Sequence, residues 1–325
     1  MSLLAAGFPQ YGETNFFQSH WQLTQRCNFN CPYCVNEHLR TEGIHMPPET
    51  MRHALKLISQ LERSHFHFCL SGGEVTLYPH LSEMLDEIAL LFPAGSTVTM
   101  MSNGSASAAR MRELVFTQPH IAKRFVFTIH LGQTNVDKLI DKLLEFTEAE
   151  RKVHFNIKIV TPPGDKRGIE TANRLAEAGI ANFELMPVLD FKTGVIETGY
   201  TSEEMSLFMP ANGRKPWFHF RHVYENSIRD VTFLEGIEKH MFHYKGMFCS
   251  AGRQSIFLDE HGNVSKGQFC GHMLYTILDK NPFEDPAFME PSRCMEEHCT
   301  CIPFTALPKW NEAAYAPVSC NGVTR

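Results

Sequence analysis

The chain has 325 residues, of which 43% are hydrophobic and 20% are charged, and its net charge is −6. These values are typical of a globular protein with a large core, and the acidic balance argues against a nucleic-acid-binding surface, which needs clustered Lys and Arg. The N-terminus lacks the basic and apolar regions of a signal peptide, and no apolar run is long enough to span a bilayer. We therefore expect a cytoplasmic protein that binds neither nucleic acid nor membrane.

Strand and helix patterns alternate along the first two thirds of the chain. Residues 1–17 are expected to be a poorly ordered lead-in, and from residue 20 onward strand-like runs alternate with stretches whose apolar residues recur at helical spacing. Six strand–helix units in succession predict a parallel sheet with helices on its outside. The predicted strands are 20–24, 65–70, 97–101, 125–130, 153–160 and 182–188, and the predicted helices are 48–62, 80–91, 105–116, 134–149 and 167–178.

Each predicted strand has one apolar and one polar face. In residues 65–70, for example, His67 and Cys69 alternate with Phe66 and Phe68. Because helices must cover the apolar face, we expect the polar side chains to line a wet, laterally open lumen. An antiparallel sheet with one solvated face would show the same alternation, but the helical segments between the strands favour the parallel arrangement. The lumen candidates for substrate contact are His67, Asn156 and the three catalytic candidates His130, Lys158 and Glu184.

Three cysteines, Cys27, Cys31 and Cys34, follow the first predicted strand within one short loop. Thiolates at this spacing suit an iron–sulfur cluster or zinc. A four-iron cluster held by three cysteines keeps one iron open to a ligand that is not a side chain. A structural zinc would need a fourth ligand nearby, and His38 and His45 lack finger-like spacing, so an iron–sulfur cluster is favoured.

The CxxxCxxC spacing of these cysteines, with Gly72-Gly73-Glu74 after the next predicted strand, resembles the two signatures of the radical S-adenosylmethionine (SAM) superfamily. The resemblance implies a [4Fe–4S] cluster whose open iron binds SAM, and reductive cleavage of SAM to methionine and a 5′-deoxyadenosyl radical. It also implies a flavodoxin- or ferredoxin-type electron donor. The implied fold class is α/β, with a partial (β/α)6 barrel of the radical SAM type.

The resemblance also implies SAM contacts for residues other than the cysteines. Gly72 and Gly73 would let the backbone approach SAM, and Glu74 would bind its ammonium group. Tyr33 would lie beside the adenine, although simple packing accounts for this aromatic almost as well. The remaining expected contacts are Ser102 and Asn103, in a turn similar to the family's (S/T)NG turn but also readable as an ordinary Asn-Gly turn, and Thr128, which stands where relatives carry a Ser two residues before an Asp that is His130 here.

A second group of cysteines lies in the last third of the chain. Cys249 and Cys270 flank a hairpin pattern, and further cysteines begin at Cys294 after a linker that contains three prolines. This arrangement resembles the twitch form of the SPASM domain, which implies one auxiliary [4Fe–4S] cluster. A structural zinc bound by four cysteines is the alternative. The expected cluster ligands are Cys249, Cys270, Cys299 and Cys301, with Cys294 as a substitute for one of the last two.

The expected organisation is a lead-in at 1–17, a radical SAM partial barrel at 18–235, and a small cysteine-rich auxiliary-cluster domain with a β-hairpin at 245–325. The expected reaction is hydrogen abstraction from a small polar metabolite of the sugar, cyclitol or nucleoside type in a biosynthetic pathway. Twenty-six residues precede Cys27, which leaves no room for the leader-peptide-binding domain common in peptide modifiers. A peptide-modifying maturase and a non-enzymatic metal-binding regulatory module are the alternatives.

Overall fold

A computed structural model describes residues 3–7, 15–34, 43–190, 193–208, 219–268, 270, 275–299 and 305–312. Its strands are β1 (Leu3–Gly7), β2 (Phe16–Gln22), β3 (His65–Ser71), β4 (Thr97–Ser102), β5 (Ala122–His130), β6 (Phe155–Thr161), β7 (Phe183–Pro187), β8 (Leu189–Asp190), β9 (Val195–Ile196), β10 (His219–Tyr224), β11 (Ser227–Thr232), β12 (Phe248–Cys249), β13 (Ser255–Leu258), β14 (Asn263–Ser265), β15 (Tyr275–Thr276), β16 (Ser292–Arg293) and β17 (Lys309–Trp310). Its α-helices are α1 (Pro48–Ser59), α2 (Leu81–Leu91), α3 (Ala108–Phe116), α4 (Val136–Leu144), α5 (Glu148–His154), α6 (Arg167–Glu177), α7 (Ser202–Phe208), α8 (Phe233–Glu238) and α9 (Pro286–Met289).

Strands β2 to β7 lie side by side in sequence order, and every neighbouring pair is parallel. At least one α-helix connects each strand to the next, as expected for βα units. This arrangement confirms the predicted α/β partial barrel. The carboxyl ends of all six strands therefore open onto one edge of the sheet, where loops carry chemistry in barrels of this kind.

The two faces of the parallel sheet differ as the alternation of residues predicted. Phe68, Phe127 and Ile157 belong to a large apolar core that also contains the inward faces of α1, α2, α3, α4 and α6. The alternate side chains of the same strands, such as Thr128 and Lys158, lie on the opposite face, which we call the inner face. The helices thus bury the apolar face and leave the polar groups beside the carboxyl-end loops.

The segment predicted as one helix at 134–149 forms two. Helix α4 ends at Leu144, and α5 begins after Thr147. The Thr147 side chain accepts a hydrogen bond from the Glu150 backbone N–H, and the Glu150 carboxylate accepts one from the Thr147 backbone N–H. This capping box starts a new helix, which apolar periodicity alone did not indicate.

The predicted hairpin after Cys249 is present as β13 and β14, with β15 beside it. Strand β13 pairs in parallel with β2, so the hairpin extends the barrel sheet to nine strands. At its turn, Gly262 has φ +80°, and a Cβ there would lie 2.5 Å from Thr50 Cγ2 on α1. The hairpin of the predicted auxiliary-cluster domain is therefore continuous with the barrel.

The expectation of a poorly ordered lead-in was wrong for residues 3–7. These residues form β1, which pairs with β10 on one side and with β17 on the other. The resulting six-stranded sheet has the order β11-β10-β1-β17-β12-β16. A five-residue apolar run shows no period of its own, and its partners lie far away in the sequence, so local pattern could not reveal the strand.

The described helices are short, and the longest of them, α1, has 12 residues. None of the helices within the described ranges is long and apolar enough to cross a membrane.

Candidate active site

The loop that carries Cys27, Cys31 and Cys34 follows β2 at the carboxyl edge of the parallel sheet. Cys31 is buried, and the other two cysteines are half-buried. The Phe29 backbone N–H donates to Cys27 Sγ at 3.4 Å, and Asn103 Nδ2 lies 3.9 Å from the same sulfur. Such N–H donors stabilise a thiolate bound to iron. Three soft ligands in one loop, with donors directed at a sulfur, fit a cluster held by three cysteines.

The pair Gly72-Gly73 holds this loop against the end of β3. Gly73 N–H donates to Thr24 O at 2.6 Å, and Glu74 N–H donates to Arg26 O at 2.7 Å. A Cβ on Gly72 would lie 2.3 Å from Thr24 O, and one on Gly73 would lie 2.2 Å from Arg26 O. Gly72 also has φ +138°. Only glycine allows the two backbones to approach this closely.

The Glu74 carboxylate is fully buried and is surrounded by protein donors. Its Oε1 accepts from the Thr76 N–H at 3.1 Å, from Thr76 Oγ1 at 2.6 Å and from Ser102 Oγ at 2.8 Å. Its Oε2 accepts from the Asn103 N–H at 2.6 Å. These bonds join the end of β3 to the end of β4, so the carboxylate organises the two loops beside the cysteines. Its contact with a SAM ammonium group stays a prediction.

The Ser102-Asn103-Gly104 turn, at the end of β4, contacts the cysteine loop, and its contact with SAM stays a prediction. Asn103 Nδ2 donates to Asn28 Oδ1 at 2.8 Å, and Asn103 Oδ1 accepts from the Ser105 N–H at 3.0 Å. Gly104 has φ +72°, in the left-handed region that glycine favours. The turn therefore fixes the amide of Asn103 toward Cys27.

Three of the predicted inner-face residues form one row. Thr128 on β5 is the register partner of Lys158 on β6, which is the partner of Glu184 on β7. Lys158 Nζ lies 3.5 Å from Glu184 Oε1, and the two side chains are 13% and 40% exposed. The row thus presents a hydroxyl, a cation and a partly open anion on the inner face.

His130 and Tyr33, which were predicted as separate candidates, contact each other. Their rings stack with centroids 5.6 Å apart at 30°, and the Tyr33 hydroxyl lies 3.2 Å from His130 Nδ1. Burial raises the pKa of Tyr33 well above its usual value, so the phenol stays protonated and can donate to the imidazole. The pair forms a flat polar wall directly beside Cys34.

Two histidines of neighbouring strands lie on the inner face, and His20 is buried while His67 is half-buried. Burial lowers the pKa of His67 to about 4, and burial with the neighbouring His67 lowers the pKa of His20 to about 4. His67 Nδ1 lies 2.7 Å from Thr97 Oγ1, and His20 Nε2 lies 2.7 Å from Ser71 Oγ. Burial also raises the pKa of Cys69 to about 12. All three side chains are therefore polar but neutral at pH 7.

Glu260, in the hairpin turn, was missed by the sequence reasoning. Its buried carboxylate accepts from Gln22 Nε2 at 2.8 Å and from Gln25 Nε2 at 2.5 Å. Gln25 lies two residues before Cys27, so the hairpin helps to hold the start of the cysteine loop. The parallel pairing of β13 with β2 brings Glu260 there, and no local pattern signals that pairing.

Four cysteines from three segments interact electrostatically with one another. We call them the C-terminal thiol cluster, which consists of Cys249, Cys270, Cys294 and Cys299. Burial raises the pKa of Cys294 to about 11. The structure thus places the predicted substitute, Cys294, with three of the expected ligands, whereas Cys301 lies outside the described residues. Within the described ranges, no three His, Cys, Asp or Glu side chains could hold a single metal ion. Cysteines that bind different irons of a cluster are spaced more widely than the ligands of one ion.

Comparisons with known proteins match one part of the chain to a family. Residues 21–122 match the radical SAM superfamily. No curated protein sequence matches the chain.

Solved structures of two proteins share the fold, and that of a third is less similar. The structure of anSMEcpe with bound AdoMet and the Cp18Cys peptide has a TM-score of 0.54 at 16% identity, over 83% of this chain and 80% of that one. SuiB of Streptococcus suis bound to the precursor peptide SuiA has a TM-score of 0.52 at 12% identity, over 85% and 66%. BtrN in complex with AdoMet and 2-DOIA has a TM-score of 0.49 at 13% identity, over 84% of each chain.

Replacing Gly73 with alanine is expected to disrupt the site. The new Cβ would lie 2.2 Å from the Arg26 carbonyl oxygen, so the cysteine loop must shift away from β3. We expect the Gly73→Ala protein, after anaerobic reconstitution, to lose most of the iron bound at Cys27, Cys31 and Cys34. Gly132→Ala is the matched control, because a Cβ there meets nothing within 4 Å. Iron content equal to wild type in Gly73→Ala would contradict this role.

The neutral state of His67 predicts a loss of stability in acid. Because its folded-state pKa of about 4 lies below the ordinary histidine pKa of 6.5, the unfolded chain binds the extra proton more readily. The stabilisation is complete above about pH 6.5 and is lost as the pH falls toward about 4. Between pH 7.5 and pH 5.5 this group should contribute about 1 kcal/mol of destabilisation.

The test compares unfolding midpoints of the loaded protein at those two pH values. His67→Gln should show a smaller drop than wild type, since Gln can still bond Thr97 and does not titrate. His65→Gln, an exposed neighbour on the same strand, should behave as wild type. An unchanged drop in His67→Gln would show that the acid sensitivity arises elsewhere.

Proposed function

We propose that this chain, whose residues 21–122 match the radical SAM superfamily, is a radical SAM enzyme that abstracts hydrogen from a small polar metabolite of the sugar, cyclitol or nucleoside type. The family uses a [4Fe–4S] cluster and SAM, which together supply a 5′-deoxyadenosyl radical. The observation that carries the substrate class is the row of Thr128, Lys158 and Glu184. Three polar groups in register on one face of the sheet can bind several hydroxyl or amino groups of one compact molecule.

In this proposal the chain's own residues hold and shield the reacting groups. Cys27, Cys31 and Cys34 bind the cluster, and the N–H donors at Cys27 fix the orientation of that thiolate. Glu74 keeps the loops after β3 and β4 in place through its four hydrogen bonds. The Tyr33–His130 stack supplies a flat surface suited to the adenine of SAM.

The ion pair of Lys158 and Glu184 is suited to an exchangeable contact. Glu184 is 40% exposed and its distance to Lys158 is 3.5 Å, so the pair loses little when a ligand hydroxyl separates it. The histidines further along the inner face are neutral, so they add hydrogen-bonding groups without repelling a cationic substrate. A polar ligand would therefore find both charges and uncharged donors in one site.

The proposal also assigns an auxiliary [4Fe–4S] cluster to the C-terminal thiol cluster, with Cys294 as the fourth ligand. The four thiols come from β12, the loop at 270 and the segment 294–299, and two of them are buried while two are half-buried. Thiols that interact in this way would suit a cluster as soft ligands. Radical SAM enzymes need an electron donor, and we propose a flavodoxin- or ferredoxin-type protein. We propose that residues 18–235 carry the SAM cluster and residues 245–325 the auxiliary cluster. The barrel sheet contains strands from both ranges.

A peptide is the second candidate substrate. The structures of anSMEcpe and SuiB, which share this fold, were obtained with bound peptides. A peptide would enter along the open edge of the partial barrel and would leave most of its length outside the inner face. A compact metabolite would make most of its contacts with Thr128, Lys158 and Glu184. Its binding should therefore depend on Lys158 more strongly than the binding of a peptide would.

The function is tested with anaerobically reconstituted protein, dithionite and SAM. Wild type should form 5′-deoxyadenosine, and a deuterated substrate from a panel of sugars, cyclitols, nucleosides and peptides should transfer deuterium into it. Lys158→Met should keep SAM cleavage without substrate but lower deuterium transfer at least about tenfold, the effect of losing about 1.4 kcal/mol of binding.

Lys138→Met is the control, because Lys138 lies exposed on α4, away from the inner face. It should transfer deuterium as wild type does. Deuterium transfer only from a peptide would replace the metabolite proposal with the second candidate. Full transfer from a metabolite in Lys158→Met would contradict the role of the row.

A further inference from the structure

Lys309 carries a charge in the interior of the smaller sheet. The residue is 1% exposed and belongs to β17. Its Nζ donates to the Thr305 carbonyl at 3.1 Å and to the Leu307 carbonyl at 3.0 Å, and it lies 4.9 Å from the centre of the Tyr244 ring. Two carbonyls and an aromatic face orient an ammonium group without neutralising it. Burial of such a charge costs several kcal/mol unless an opposite charge lies near.

The opposite charge comes from the C-terminal thiol cluster. Lys309 is the register partner of Cys249 across β12 and β17, and it interacts electrostatically with all four of the thiols. The group is further tied to the cluster by Thr305, whose carbonyl binds Nζ and whose Oγ1 lies 3.6 Å from Cys299 Sγ. The ammonium is therefore held near the thiols in two ways. Strand β17 pairs with β12, which carries Cys249, and Thr305 contacts both Nζ and Cys299.

We propose that Lys309 is a fixed positive charge that raises the reduction potential of an iron–sulfur cluster held by the C-terminal thiol cluster. This inference rests on the auxiliary cluster proposed above. A cluster bound by four thiolates is negatively charged, and reduction adds one more negative charge. A nearby cation stabilises the reduced form more than the oxidised form, and it does so strongly in a buried site of low dielectric.

The consequence concerns the direction of electron flow. A higher potential makes the auxiliary cluster a better acceptor of one electron and a poorer donor. Lys309 would thus favour reactions in which the substrate is oxidised. It acts through the cluster and is a positioning residue, since it lies among the thiols and is not part of the inner-face row.

A redox titration tests the inference directly. The full-length chain carrying Cys27→Ala, Cys31→Ala and Cys34→Ala is reconstituted anaerobically, so that the auxiliary cluster gives the only electron paramagnetic resonance signal. Its midpoint potential is then measured with Lys, Gln or Arg at position 309. Gln can still donate to the Thr305 and Leu307 carbonyls but is neutral, whereas Arg keeps the charge. Lys245→Gln is the control, because Lys245 is exposed and paired with Glu297 in the neighbouring segment, where solvent screens its charge.

The expected result is a more negative midpoint for Lys309→Gln and a midpoint near that of the parent for Lys309→Arg and Lys245→Gln. A Gln variant that binds no iron, beside an Arg variant that binds it, would equally support the need for the charge. An unchanged midpoint in Lys309→Gln, or loss of iron in both the Gln and Arg variants, would overturn the inference. Absence of iron and signal in the parent would instead refute the auxiliary cluster itself.

Discussion

The contact between two backbones determines the geometry of the site. Gly72 and Gly73 lie against Thr24–Arg26 at distances that no side chain could tolerate, and two short hydrogen bonds join the segments. The loop with the three cysteines begins at this junction. Its position relative to β3 and β4 is therefore set by main-chain atoms, while Glu74 and Asn103 connect the same loop to the end of β4.

The polar side chains of the inner face include both neutral and charged groups. His20 and Cys69 are buried, His67 is half-buried, and all three are neutral, so the inner face is polar there without unpaired charge. The charge of Lys158, which is 13% exposed, lies beside the opposite charge of the more exposed Glu184. In the six-stranded sheet, the charge of Lys309 lies near four thiols. Each of these two cations thus has a potential anionic partner nearby.

Much of the barrel could be predicted from the sequence, because its signals are local. The alternation of His67 and Cys69 with Phe66 and Phe68 indicated which face the helices cover, and the spacing of the cysteines and Gly72-Gly73-Glu74 indicated the cluster loop. The surroundings of Glu74 could not be predicted, since two of its donors, Ser102 and Asn103, come from the end of the next strand, almost thirty residues on. Spacing indicated that Glu74 belongs to the site, and only the fold gave its four hydrogen bonds.

Contacts between distant segments account for the other differences. Strand β1 pairs with β10 and β17, and β13 pairs with β2, so neither the N-terminal strand nor Glu260 had a local signal. The place of Cys294 beside Cys249 depends on the pairing of β16 with β12. Lys309 is one lysine in an apolar run, and no local pattern places it near the cysteines. The pairing of β17 with β12 makes it the register partner of Cys249.

The central claim is that Cys27, Cys31 and Cys34 leave one iron open for SAM. Electron–nuclear double resonance on the reduced protein tests it most directly, with SAM labelled with ¹⁵N in the amino group and ¹⁷O in the carboxylate. The account predicts coupling of both nuclei to the cluster. Coupling to neither, with a cluster that is fully ligated by protein side chains, would contradict it.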